Sequence, residues 1–340
     1  MLKLILKSAV GGVIVAASLA TQAADITGAG ATFPYPIYAK WAEAYKAQTG
    51  VGLNYQAIGS GGGIKQIRAK TVDFGASDDP VKAKDVQAWG MVQFPAVVGG
   101  VVATYNVPGV PSGSLQLSGE LLAEMFMGSI SKWNDPKIAS MNPGAKLPDL
   151  AITVSHRADG SGTTALFTTY LAQVSNTWKD KVGAGKTVKW PSAASVGGKG
   201  NAGVAANVSK IKGALGYVEY AYAKQNNLPV IALKNKEGKV VQPTAEAFAA
   251  AAAGADWAKA PAMALVLTNQ PGAKSWPITG ASFILMYVEP KNAASSKEVT
   301  KFFDWAFKNG GKMAEDLAYV PLPKAATDYI AKSVWSQIKH

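Results

Sequence analysis

Apolar positions recur along this chain at two periods, and the switches between them divide it into helices and strands. Ile37, Tyr38, Trp41 and Tyr45 fall on one face of a helix. VGLNYQAIG (51–59) reads as a strand, IKQIRAK (64–70) as a short helix and VDFGAS (72–77) as a strand. FPAVVGGVVATYNV (94–107) is apolar almost throughout, the pattern of an extended segment buried on both faces. A strand AITVSHR (151–157) runs into a helix TTALFTTYLAQV (163–174), and further on come GALGYVEYAYAKQ (213–225) and an alanine-rich helix near 244–253. ITGASFILMYV (278–288) is a strand, VTKFFDWAFKNGGKMAEDL (299–317) an amphipathic helix pair, and KAATDYIAKSVWSQI (324–338) follows it. Strands alternating with helices predict an α/β architecture. The stretches VPGVPSGSLQLSG (107–119) and LTNQPGAKSWP (267–277), rich in Pro, Gly and Ser, bracket a middle block, which suits one domain inserted into another.

The first 23 residues follow a different logic. MLKLILK supplies a basic start, AVGGVIVAASLA a short apolar stretch, and Thr21 and Ala23 place small residues before Ala24. This predicts a secretory signal over 1–23, cleaved before Ala24, since the apolar stretch is well short of the ~20 residues of a membrane span. The mature chain is then expected to be exported, and its length suits two domains.

Composition narrows the function classes. The formal charge is +12, or +10 once the signal's Lys3 and Lys7 are removed, yet only Arg68 and Arg157 among the 34 basic residues are arginine. Recognition of phosphate backbones and base edges favours arginine in clusters, and the lysines here are scattered, so no nucleic-acid partner is expected. Dispersed lysines make a solvated surface that steers small anions. No cysteine is present, which excludes disulfides, thiolate metal sites and a lipid-modified cysteine at the mature start.

Three segments share one design. GAGATFPYPIYAKW places Thr32 and Phe33 before a helix, IGSGGGIKQIRAK places Ser60 and three glycines before another, and ADGSGTTALFTTYL places Ser161, Gly162 and Thr163 before a third. A helix start offers unpaired N–H groups and positive dipole character, glycine permits close approach, and a hydroxyl adds a rotatable donor. Each segment alone is also ordinary capping and turn chemistry. Together, with Arg157 beside the third as a forked donor, they point to one enclosed anion.

Other chemistries are poorly supplied. VGAGKT (182–187) lacks the first glycine of a phosphate-binding loop, since Asp180 occupies it, and GAGATF and GSGGGI fail the dinucleotide pattern at Phe33 and Ile64. With only His156 and His340, no multi-histidine metal centre can be built, and no nucleophile elbow surrounds Ser161. Asp78 and Asp79 are adjacent, so their side chains diverge rather than forming an acid–base pair. No cofactor, metal or catalytic residue is expected.

These residues carry a resemblance. TGAGATFP (27–34), IGSGGGIKQI (58–67), VDFGASDDP (72–80), QFPAVVGGVV (93–102), RADGSGTT (157–164), GALGYVEYAYAKQNNL (213–228), SWPITGASFIL (275–285) and FFDWAFKNG (302–310) resemble the periplasmic phosphate-binding proteins of ABC-type phosphate uptake systems. The resemblance implies a type II periplasmic binding protein, with two α/β lobes and a ligand cleft between them. It implies phosphate contacts at Thr32, Phe33 (through its backbone), Ser60, Asp78, Arg157, Ser161, Gly162 and Thr163, with Asp159 holding the arginine. Gly61 stands where relatives commonly carry a second serine, and His156 where another basic residue is often seen. The lobes are expected at 24–106 with 279–340, and at 107–278. The implied protein is a soluble periplasmic monomer that delivers inorganic phosphate to an inner-membrane permease and ATPase. The rivals are a receptor for sulfate or molybdate, and an exported phosphatase, which the missing metal ligands oppose.

Overall fold

The computed structural model describes residues 25–340, so the expected signal over 1–23 lies outside the described residues. The strands among them are β1 (Ile26–Gly30), β2 (Leu53–Ala57), β3 (Phe74–Ser77), β4 (Met91–Tyr105), β5 (Gln116–Leu117), β6 (Thr153–Arg157), β7 (Ser195–Gly198), β8 (Ala214–Glu219), β9 (Ala232–Lys234), β10 (Val240–Val241) and β11 (Thr279–Tyr287). One sheet runs in the order β2-β1-β3-β11-β4-β8-β6-β7, and β10-β9-β5 form a small second sheet. With helices between most of these strands, this is the α/β class read from the alternating pattern.

Two halves share β4. All 15 of its residues are buried, as its apolar sequence requires. Met91–Gly100 pairs antiparallel with β11, and from Val101 to Tyr105 the partner becomes β8. Pro95 has no N–H for the ladder, and the register with β11 shifts there, between Ser282 and Phe283. On one side β1 runs parallel to β2 and β3; on the other β6 runs parallel to β7 and β8. Near the second soft stretch the chain also touches the first half, where Ala262 accepts from the Gln93 amide at 3.0 Å.

The helix Tyr35–Thr49 buries Ile37, Tyr38, Trp41 and Tyr45, the set its spacing predicts. Its partner, Ala293–Asn309, begins at Asn292, whose side chain accepts from Ala294 and Ser295, and buries Val299, Phe302, Phe303 and Ala306. The Phe303 ring meets Tyr38, Phe74 and Phe94 edge-on. Trp41 Nε1 donates to the Gly310 carbonyl at 3.0 Å, which fixes the first helix and the Thr32-Phe33 turn leading into it.

Two boundaries differ from the expectation. The second helix spans Ser60–Arg68, so its glycines lie inside the first turn rather than before it. The cause is close packing: a Cβ on Gly63 would sit 2.4 Å from Gly30 Cα and 2.5 Å from the Ala29 carbonyl, and only glycine lets this helix rest on β1. The segment 213–225 divides at Glu219, which ends β8 and caps the helix Tyr220–Gln225 by accepting from Ala221.

Candidate anion-binding site

The carboxyl ends of six strands meet where the two halves face each other. Beyond β1, β2 and β3 stand Thr32, Ser60 and Asp78; beyond β6 and β7 stand Asp159 and Asn201, and Glu219 ends β8. Parallel strands leave ligand sites at their carboxyl ends because the following helices begin there with unpaired N–H groups.

All eight residues singled out by the sequence come into this region or line it. Thr32, Ser60, Asp78, Arg157, Ser161 and Thr163 are each at most 6% exposed, so an anion among them is stripped of water. Ser60 is a junction between the halves: its Oγ accepts from the Asp78 N–H at 3.2 Å and from the Gly162 N–H at 3.0 Å. Gly162 must be glycine for this contact, since a Cβ would lie 2.6 Å from Ser60 Oγ and 2.7 Å from Asp78 N. Ser161 caps the helix Gly162–Val174, accepting from Thr164 N at 3.0 Å. The Phe33 ring is core, edge-on to Tyr319, while its carbonyl accepts from Tyr319 Oη at 2.6 Å. Among the described residues the Phe33 and Thr163 N–H groups make no hydrogen bond.

Arg157 is held by Asp159. Its Nε donates to Asp159 Oδ1 at 2.7 Å and one Nη to Oδ2 at 2.5 Å, while the other Nη reaches Thr163 Oγ1 at 3.3 Å. Of the five guanidinium protons two are left for a ligand. Burial alone would raise Asp159, but Arg157 and the Gly200 N–H hold its carboxyl below the ordinary range. Arg157 therefore brings direction more than net charge, and an anion's charge falls to backbone N–H groups and helix starts.

Asp78 is the exception among these donors. Its Oδ1 is buried without a partner, and its Oδ2 is 3.5 Å from the Ser60 hydroxyl. Burial pushes the carboxyl up to about 7, even against the nearby Ser282 hydroxyl and the pull of Arg157. Behind the site Glu219, also fully buried, is pushed by burial up to about 8, with Oε2 accepting from Ala221 N and Tyr319 Oη. An acid whose pKa is raised by folding gives stability that is complete below its unfolded value near 4 and is lost as pH climbs through the folded value. The anion-free protein is thus expected to melt at progressively lower temperature from pH 5 to pH 9, by up to ~1.4 kcal/mol per pH unit for each ionising group. Glu219→Gln should flatten the upper part of that curve in a calorimetric melting series. A wild-type curve equally flat would contradict both burial arguments.

Several partners carry no mark in the single segments read above. Asn201 binds Thr32 Oγ1 through both its backbone N (3.1 Å) and Nδ2 (2.8 Å), and Gly200 N donates to Asp159 at 2.9 Å. Tyr222 Oη donates to the Thr32 carbonyl at 2.6 Å. The Gly61 N–H reaches the Gly160 carbonyl at 2.8 Å, and at the rim the Lys186 ammonium pairs with the Asp79 carboxylate. GGKGNAG (197–203) repeats the glycine-rich helix start of the other three segments and was legible on that ground; Tyr222, Tyr319 and Lys186 were not. His156 stays outside, stacked on Trp190 with ring centroids 4.9 Å apart.

The chain is similar to known proteins in sequence and in fold. The PBP superfamily domain matches residues 15–309. The chain is 57% identical over 322 residues to the phosphate-binding protein PstS of Pasteurella multocida, covering 95% of this chain and 93% of that one. It is 56% identical to the phosphate-binding protein PstS of Haemophilus influenzae, over 92% and 93% of the two chains. In fold it matches a solved phosphate-binding protein from Stenotrophomonas maltophilia with a TM-score of 0.68 at 20% identity, covering 90% of this chain and 92% of that one.

Proposed function

This chain belongs to the PBP superfamily and, within it, to the family of phosphate-binding proteins; on that premise we propose that it binds inorganic phosphate in the periplasm and hands it to the permease and ATPase of an inner-membrane ABC importer. It is a binding protein rather than an enzyme, of the two-lobed type II periplasmic class. The ligand shell is Thr32, Phe33, Ser60, Asp78, Arg157, Ser161, Gly162 and Thr163, with Asp159 behind Arg157. Residues 24–106 with 279–340 form one lobe and 107–278 the other, a division supported by the change of β4's partner from β11 to β8 after Gly100. The mature protein starts at Ala24 and works as a monomer.

One observation carries the ligand: Asp78 Oδ1, a carboxylate oxygen buried without a partner among the described residues, is set among N–H and O–H donors, while the other such oxygen, Glu219 Oε1, stands behind the site. Phosphate near neutral pH keeps at least one proton, its second ionisation lying near that of phosphate esters at ~6. It can donate that proton to Asp78 and accept everywhere else. Sulfate and molybdate bring no proton and meet a buried carboxylate.

Closure follows from the same contacts. Ser60, from one lobe, is bonded to Gly162 of the other, and Gly61 to Gly160, so the shell is complete only with the lobes together. An anion that needs both halves favours the closed state by its extra affinity for it. Calorimetric titration of the mature, anion-stripped protein should show phosphate binding at least ~100-fold tighter than sulfate, or ~2.8 kcal/mol. A phosphomonoester incubated with the protein should release no phosphate. Equal or tighter sulfate binding would overturn the ligand assignment, and steady release of phosphate would reopen the phosphatase reading.

A further inference from the structure

Asn201 belongs to none of the segments that carry the ligand shell, yet its side chain is fully buried and bridges the two halves. Its Oδ1 accepts the Glu219 N–H at 2.9 Å, which settles the orientation of the amide, because the flipped form would set NH2 against N–H. Nδ2 then points both its protons at hydroxyls: Thr32 Oγ1 at 2.8 Å and Thr163 Oγ1 at 3.2 Å. Each hydroxyl has a second donor as well. Thr32 Oγ1 also accepts the Asn201 backbone N–H at 3.1 Å, and Thr163 Oγ1 accepts from Arg157 at 3.3 Å.

A hydroxyl has two lone pairs and one proton. With both lone pairs engaged, the only remaining hydrogen-bonding act open to Thr32 and Thr163 is to donate. Among the described residues neither hydroxyl donates to a protein atom. We propose that Asn201 is a positioning residue that turns Thr32 and Thr163 into obligate donors toward the bound phosphate, so that neither hydroxyl competes with Asp78 for the ligand's proton. The inference rests on the phosphate reading and adds to it the device that enforces donor polarity on the hydroxyls of both lobes. Without the amide, each threonine would be free to rotate and accept, and the contrast between one acceptor and many donors would blur.

The test is a set of calorimetric titrations with inorganic phosphate on the full mature chain. Asn201→Ala should raise the phosphate Kd by ~30-fold, the scale of a lost hydrogen bond to a charged group. Asn201→Asp keeps the acceptor for Glu219 N–H but replaces the donor by an acceptor, so both hydroxyls turn toward it; it should cost ~100-fold or more. The discriminating arm uses a Thr32→Val/Thr163→Val background, in which adding Asn201→Ala should change Kd by less than ~3-fold, because the groups it acts through are gone. A merely structural Asn201 would add its full penalty in that background, and that result overturns the proposal. So does phosphate binding within threefold of wild type in both Asn201 variants. If Asn201→Ala fails to fold, judged by its melting curve, Asn201→Asp decides the matter in its place. Wild-type protein that does not bind phosphate sinks the functional reading and this inference together, whereas tight wild-type binding with indifferent variants sinks the inference alone.

Discussion

Arg157→Ala is expected to weaken phosphate binding by roughly 2–5 kcal/mol, the cost of truncating one member of a buried hydrogen-bonded charge pair. The loss has two parts. The anion loses two directed N–H donors in a cleft where Arg157 itself is only 5% exposed. Asp159, whose side chain is 14% exposed, loses its cation and keeps the Gly200 N–H at 2.9 Å, which leaves a carboxylate's repulsion close to the ligand. Arg157→Lys should restore only part of the affinity, because a point charge cannot serve Asp159 and the ligand at once as the planar fork does. Replacing Lys186 at the rim should cost much less, since its ion pair with Asp79 is a third exposed and screened by water. Isothermal titration of the four proteins with phosphate gives the comparison. Arg157→Ala binding within a few-fold of wild type would show that the site has been placed wrongly.

Asp78→Asn should act on selectivity instead. On the proposed reading a proton-bearing oxygen of phosphate donates to Asp78 Oδ1, which is buried without a protein partner, so that the bond uses the ligand's own proton. Sulfate cannot supply one, so it faces like-charge repulsion and an unmet acceptor. An asparagine can turn an N–H to the same place and removes that objection. The phosphate-over-sulfate preference should narrow by at least about tenfold, or ~1.4 kcal/mol, in competition titrations. The raised pKa adds a sign. With burial pushing Asp78 up to about 7, its acid form gains ground as pH falls below 7 and can donate to sulfate, so wild-type sulfate binding should strengthen from pH 8 to pH 5. Asp78→Asn should show no such trend. An unchanged preference in the variant would mean that cavity shape, and not the proton, separates the two anions.

The hydroxyl and glycine positions around Arg157 are the part of the candidate site that the linear chain marks most plainly. Glycines and hydroxyls at helix starts have a local cause, since the first turn has unpaired N–H groups whatever the fold around it. Thr32, Ser60 and Ser161 could therefore be found from their neighbours alone. The apolar spacing of Ile37, Tyr38, Trp41 and Tyr45 and the unbroken apolar run of β4 are local in the same sense, because burial is written as a period.

What the tertiary structure decided is everything that depends on which local pieces face each other. Gly162 is 102 residues from Ser60 and bonded to it, and Asn201 is 169 residues from Thr32 and bonded to it. No period or motif encodes such a pairing; it exists because β4 changes partner after Gly100 and brings two sets of parallel strand ends together. Packing within the first half turned Gly61 to Gly63 from apparent loop into a helical turn pressed on β1, which a local reading places outside the helix. The fold also set the charges. From the residues alone Asp78 is an ordinary carboxylate; in the fold it is buried beyond the reach of water, and the expected pair of Arg157 and Asp159 is itself largely buried. By itself the sequence determined the donors, because capping chemistry is local. Only the fold determined which of them converge, and how strongly burial weights the one acceptor among them, because desolvation depends on surroundings drawn from the whole chain.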